Sequence, residues 1–292
     1  MFNYRALFTA VVLLVSVHGA VRAEGDDVFT LSADTSLVRD SNLFRLSSGA
    51  NTMALIGRNS AAEQINTTAL GVRAAKSYSL QRFEIGASVV DYRYQNFNYL
   101  NSVASNYDAA WRWSLTPRFY GNLTNSRRES VNSFVDQQGY NIRSQRVNYD
   151  TRWDGQFEID GTWRARAGLS QGSQNSLQNQ ATEADTTTHG ADLGVAYAFA
   201  SGSTIGYTLR NSKGQYRNRV LPSVSLLDDG FTQVDHDFRI RWVMDGITTA
   251  GLHATGIDRT HPNYPQRNYN GIAAGANIKI NLSGKTSLAV DW

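Results

Sequence analysis

Between Arg146 and Asp160 the side chains alternate with a period of two. Val147, Tyr149, Thr151, Trp153, Gly155, Phe157 and Ile159 fall on one parity. Arg146, Asn148, Asp150, Arg152, Asp154, Gln156, Glu158 and Asp160 fall on the other. Successive side chains of a strand point to opposite faces, so this is a strand with one apolar and one charged face. Asp160-Gly161 supplies a tight turn, and Trp163, Ala165, Ala167 and Leu169 then alternate with Arg164, Arg166 and Ser170. The unit is an amphipathic hairpin.

Equivalent hairpins begin near residues 65, 105, 145, 186, 232 and 269, after a single strand at about 28–38. Their turns are short. Longer polar loops separate them, at 94–104, 130–144, 172–185, 214–230 and 259–268. Three of the four prolines, Pro222, Pro262 and Pro265, fall in those loops and Pro117 in a short turn, so no ladder loses a donor. A soluble sandwich or propeller would bury the apolar face in a core. A transmembrane barrel would turn it to lipid and keep the charged face in a wet lumen. The barrel is favoured by charge along whole strands and by strict alternation of short turns with long loops. It is also favoured by Trp113, Phe119, Trp153, Phe157, Trp163, Phe199 and Trp242, which gather beside the short turns as an aromatic girdle. The fold class expected is an all-β, transmembrane, antiparallel up-and-down barrel.

The strand count is thirteen, the last at 286–292, where a barrel of 14–16 even-numbered strands is expected. That last strand leaves a short turn, climbs away from the periplasm and stops, so the expectation is a chain truncated at its C-terminus. The other explanation is one strand missed within 39–64.

Residues 1–23 read as a signal peptide: Arg5, an apolar run from Ala6 to Val17, and Val21-Arg22-Ala23 before the cleavage point. The run is too short for a membrane anchor, which needs about 20 residues. The barrel domain is then 24–292 and the location the bacterial outer membrane. Loss of Arg5 and Arg22 lowers the formal charge from +3 to +1, which excludes a basic nucleic-acid binder. Cysteine is absent, so there is no disulfide, thiolate metal site or lipid-modified cysteine.

The basic residues are 24 Arg and only 4 Lys. Arg73, Arg82, Arg112, Arg146, Arg152, Arg164, Arg166, Arg210, Arg239 and Arg241 share the polar face with Glu84, Asp108, Asp150, Asp154, Glu158, Asp192, Asp235 and Asp237. Guanidinium forks bind carboxylates and hydroxyl-rich ligands, so one reading is a lining that steers anionic or hydroxylated solutes. The plainer reading is a set of cross-strand ion pairs, and it is expected to explain most of these residues. Tyr92, Tyr94, Phe97 and Tyr99 could stack on sugar rings, or pack their loop onto the barrel rim, which is the favoured reading.

Catalytic constellations are not expected. His189 and His236 are placed near strand ends and His253 inward, without a nucleophile motif around it. No metal-ligand spacing or phosphate loop is found, and no cofactor is expected. Asp228-Asp229 is the nearest pair of carboxylates in a loop, a poor match to a glycosidase dyad.

Several strings also resemble one family. Asp40-Ser41-Asn42-Leu43-Phe44-Arg45-Leu46, Asp91-Tyr92-Arg93-Tyr94-Gln95-Asn96-Phe97, Ser114-Leu115-Thr116-Pro117-Arg118, Arg127-Arg128-Glu129-Ser130 and Asn132-Ser133-Phe134 look like EpsL-type proteins. These are outer-membrane β-barrel proteins encoded in exopolysaccharide operons with exosortase/PEP-CTERM systems. The likeness is strongest over about 25–170, and members run longer than this chain. It implies a part in exopolysaccharide biosynthesis or export, with the polymer, outer-membrane lipid and periplasmic export components as partners. It carries over no catalytic residue. The readings that follow are a passive conduit for polysaccharide, a docking barrel of the same machinery, or a general porin.

Overall fold

The computed structural model describes residues 13–22, 28–131, 143–177, 185–219, 228–283 and 286–292. They form one antiparallel sheet of fourteen strands in chain order. β1 (Leu13–Arg22), β2 (Val28–Asp40), β3 (Glu63–Tyr78), β4 (Gln81–Tyr94) and β5 (Ser102–Thr116) come first. β6 (Phe119–Val131), β7 (Gln145–Glu158), β8 (Trp163–Ser176), β9 (Thr186–Ala198) and β10 (Thr204–Tyr216) follow. β11 (Gly230–Val243), β12 (Thr248–Thr260), β13 (Tyr269–Asn281) and β14 (Ser287–Asp291) complete the sheet. Every strand pairs with its sequence neighbour, and among the described residues β1 and β14 are not paired with each other.

The thirteen strands expected are β2–β14. The stretch at 41–62, the place for a missed strand, holds a short helix, α1 (Thr52–Ile56), capped by the Asn51 side chain and closed by Gly57 at φ 68°. The fourteenth strand, β1, lies within the segment read as a signal peptide and runs along β2 from Leu13 opposite Leu37 to Arg22 opposite Val28. Residues 1–12 and Ala23 lie outside the described residues, as do 132–142, 178–184 and 220–227 of the long loops.

Several strands run further toward the long loops than alternation indicates. β8 continues to Ser176 and β10 to Tyr216. Beyond Leu169 and Leu209 both faces are polar, which erases the period-two signal, whereas the hydrogen-bond ladder needs only backbone.

The register fixes two faces. Leu70, Val89, Leu169, Leu193 and Ile272 lie on one, each more than half exposed. The arginines and carboxylates at mid-strand and toward the short turns lie on the other, which is concave; nearer the long loops Asp91, Arg93, Arg127 and Glu129 fall on the outward parity. One cavity of about 420 Å³ is lined by residues of β7 through β12. Six strands laid flat at about 4.8 Å spacing would span roughly 24 Å, so only a rolled sheet brings them around one cavity.

The outward apolar row on β9, from Ala191 to Phe199, is about 20 Å tall at about 3.3 Å per residue and ~45° tilt. That approaches the ~25 Å apolar band of an outer-membrane barrel. Above it the outward side chains turn polar: Thr151, Gln171, His189 and Asn211. Its lower edge is a row of aromatics. Trp113 stacks on Trp153 (6.1 Å, 5°) and meets Phe119 edge-on at 5.1 Å; Phe119 reaches Phe157 at 6.3 Å. Trp163, Tyr197, Phe199 and Trp242 continue the row at 5.1, 4.8 and 6.0 Å. Trp113 is outward yet buried, because its ring lies across Gly121 and Gly155; a Cβ at Gly121 would sit 2.6 Å from that ring. Tyr197 and the Phe83–Trp111 stack (6.0 Å) also belong to this surface and extend the seven residues expected.

Candidate functional site

The inward parity carries every candidate lining residue. Arg73, Arg82, Arg112, Arg146, Arg152, Arg164, Arg166, Arg210, Arg239 and Arg241 all face the concave side, as do Asp150, Asp154, Glu158, Asp192, Asp235 and Asp237. Most of the arginines are paired. Glu84 receives Arg82 Nε at 2.8 Å and Arg112 Nε at 3.1 Å; Asp108 has Arg73 and Arg128 each at 3.5 Å. Arg164 lies 3.3 Å from Glu158, and Arg239 donates to both oxygens of Asp237 at 2.8 and 3.1 Å.

The centre of this network is Asp192, whose side chain is only 4% exposed. Arg152 donates to both its oxygens, at 2.8 and 3.0 Å, and Arg210 approaches at 3.6 Å. Arg152 is on β7 and Asp192 on β9, so the guanidinium must cross β8. It crosses at Gly168, where a Cβ would stand 2.6 Å from Arg152 Nη2 and 2.8 Å from an Asp192 oxygen. Glycine is used here for close approach.

Three of the ten arginines have no carboxylate at ion-pair distance among the described residues and point to other groups or to open space. Arg166 Nε donates to Gln156 Oε1 at 2.9 Å and Arg241 Nη1 to the Gly202 carbonyl at 3.0 Å. Arg146 Nε is buried without a hydrogen-bond partner among the described residues. The 420 Å³ cavity is charge-balanced: Arg152, Arg166, Arg210 and Arg239 face Asp154, Asp192, Asp235 and Asp237. Thr208 and Thr255 also line it; alternation places them on this face, but uncharged side chains give no separate sign of a lining role.

At the long-loop end a small apolar cap sits on the inward side of β3 and β4. Leu43, Phe44, Ile56, Ala61, Tyr94, Phe97 and Leu100 pack together, with Phe44 and Phe97 edge-to-face at 4.7 Å. Its anchor is Glu63, a buried carboxylate that accepts from Phe97 N at 2.8 Å, Asn96 N at 3.0 Å and Gln64 N at 2.7 Å. Tyr94 and Phe97 therefore pack their own rim; Tyr92 packs against the same cluster, and Tyr99 remains partly exposed. At Tyr99, burial and then the nearby Glu63 push the phenol above its ordinary pKa.

His253 faces inward and His189 lies near the long-loop end of β9, as expected. His236 does not sit at a strand end. It is in the middle of β11, on the outward face, with its Nδ1 2.8 Å from the Tyr207 hydroxyl. That cross-strand partner satisfies a polar ring within the apolar band, an arrangement alternation alone does not reveal. Asp228 is fully buried and its two oxygens accept from Asn263 N (2.9 Å) and Tyr264 N (3.1 Å), so it ties two loops together.

No protein-family model and no curated protein matches the chain. Among solved structures, it is similar to the ferric yersiniabactin uptake receptor FyuA from Yersinia pestis, with 11% sequence identity and a TM-score of 0.47. The match covers 96% of this chain and 49% of the receptor, so the chain spans about half the length of that protein.

Proposed function

We propose that this protein is an outer-membrane barrel whose wet interior conducts exopolysaccharide during export, without covalent chemistry. The observation that carries the membrane reading is the opposition of the two faces. A band of exposed Leu, Val and Ile is bordered by a row of stacked aromatics, while the concave face holds paired charges around open cavities. In water such a band would be an aggregation site; in a bilayer it meets acyl chains. The polymer is assigned from the resemblance of the 25–170 region to EpsL-type proteins. Passage of a sugar chain needs a hydrated path with weak repeated contacts, which paired arginines, threonines and asparagines offer. In this reading residues 1–23 are removed on export, the mature chain starts at Glu24, and periplasmic export components deliver the polymer.

The test is conductance of the purified protein in planar bilayers, with and without the polysaccharide of the producing cell. The reading expects an ion current that the polymer reduces. A sealed interior would overturn it. The apolar cap anchored by Glu63 favours a second reading, a docking barrel whose mouth is narrowed; there the current is absent and deletion disperses the export machinery.

A further inference from the structure

The interior is not electrically uniform along its axis. In the middle, four arginines face four aspartates. Toward the short turns a second cavity, of about 820 Å³, opens between β8 and β14. Arg166, Arg239, Arg241 and Lys279 line it, and Asp291 is its one carboxylate among the described residues. Arg239 is already held by Asp237. Arg166, Arg241 and Lys279 have no carboxylate within ion-pair distance among the described residues. Arg166 and Arg241 each spend one nitrogen on a neutral oxygen, which leaves the rest of each fork for a ligand. Thr204, Thr249 and Asn277 stand among them with hydroxyl and amide groups suited to sugar hydroxyls.

We infer that this cavity is an anion subsite that takes a carboxylate-bearing sugar unit, so that the polymer handled is acidic and is engaged at the short-turn end. The reasoning is charge complementarity. Arg166, which also borders the middle cavity, shares this one with Arg241 and Lys279 against the single carboxylate Asp291, so the cations are in excess; a bidentate carboxylate relieves their repulsion while satisfying the guanidinium forks. An acidic chain drawn in here then meets a charge-balanced interior that binds it weakly, which passage requires. The inference rests on the conduit reading for its direction of travel, but the subsite itself does not need a current.

Two measurements separate these. In detergent, binding of oligogalacturonate and of maltoheptaose to the purified full-length chain is compared by calorimetry. The subsite predicts at least tenfold tighter binding of the acidic oligomer, weakened by salt. The variant Arg166→Gln/Arg241→Gln/Lys279→Gln should lose that preference, and Lys213→Gln, on the outward face, should keep it. In bilayers, oligogalacturonate should block current at tenfold lower concentration from the chamber facing the short turns. That chamber is identified by an impermeant thiol reagent acting on Ser201→Cys. If the triple variant does not fold, Lys279→Gln alone should weaken acidic binding severalfold. Equal binding of the two oligomers, or an unchanged preference in the variants, overturns the subsite. Acidic binding without any current keeps the subsite and removes the conduit. Current with equal block from both chambers overturns engagement at the short-turn end.

Discussion

Asp192→Asn is the most informative single change to the interior. The native carboxylate is nearly inaccessible, accepts a bidentate pair from Arg152 at 2.8 and 3.0 Å, and has Arg210 at 3.6 Å. The amide keeps the shape but removes the charge and turns an N–H₂ toward guanidinium donors. Breaking a fully buried pair costs about 3–5 kcal/mol. Arg152 and Arg210 are 34% and 42% exposed, however, and can rotate toward lumenal water, which cuts the penalty. The expected loss is therefore about 2 kcal/mol, roughly thirtyfold in the folded-to-unfolded ratio. Urea titration of the protein folded into lipid vesicles reads this as a lower midpoint with an unchanged slope. Arg152→Gln in the Asp192→Asn background should add little, giving a coupling of about 1 kcal/mol in the double-mutant cycle. A loss below about 0.5 kcal/mol with no coupling would mean that the crossing at Gly168 contributes nothing to stability.

Three further outcomes are expected. Leu193→Arg places a cation in the middle of the outward band, at a position 68% exposed; it should cost about 2–4 kcal/mol in vesicles, whereas an exposed leucine of a water-soluble protein would change by no more than about 0.5. Glu63→Gln removes the charge and replaces one of the two oxygens that accept from Phe97 N, Asn96 N and Gln64 N with an NH₂ donor, so amide exchange at Asn96 and Phe97 should rise at least tenfold while exchange in β9 stays constant. The short turns should loosen in acid. Asp160 is held below the ordinary carboxylate range by the Trp163 N–H and by Thr162, and Asp245 by the N–H groups of Ile247 and Thr248. Depressed carboxyls stabilise the folded turn above the unfolded pKa of about 3.9, and that contribution disappears as pH falls through the lower folded value. Exchange at Trp163 and Thr248, corrected for intrinsic rates, should therefore accelerate below about pH 4 and be flat between about pH 5 and 7.

The division into two faces was legible in the sequence because period two is a local property: Trp153 and Arg152 declare opposite sides without reference to any other strand. The pairing of the charges was not. Arg152 and Asp192 lie forty residues apart, and their contact depends on the registers of β7 with β8 and β8 with β9, and on Gly168 between them. Glu63 is silent for a similar reason, since two of its three partners are the backbone N–H groups of Asn96 and Phe97, more than thirty residues away, which carry no side-chain signature. A polar ring suits an interface, which points His236 to a strand end; the Tyr207 hydroxyl two strand positions away supplies the polar partner that lets it stay in the band. Alternation stops short of the ends of β8 and β10 because polar residues on both faces hide a ladder that continues beneath them.

All six tryptophans, Trp111, Trp113, Trp153, Trp163, Trp242 and Trp292, fall on the outward parity. Tryptophan fluorescence of the protein in vesicles, titrated in parallel with brominated phospholipid and with aqueous iodide, asks directly what that face touches. Quenching of most of the emission by brominated lipid, with little effect of iodide, is the outcome expected of a face laid against acyl chains. Emission open to iodide and indifferent to brominated lipid would contradict it.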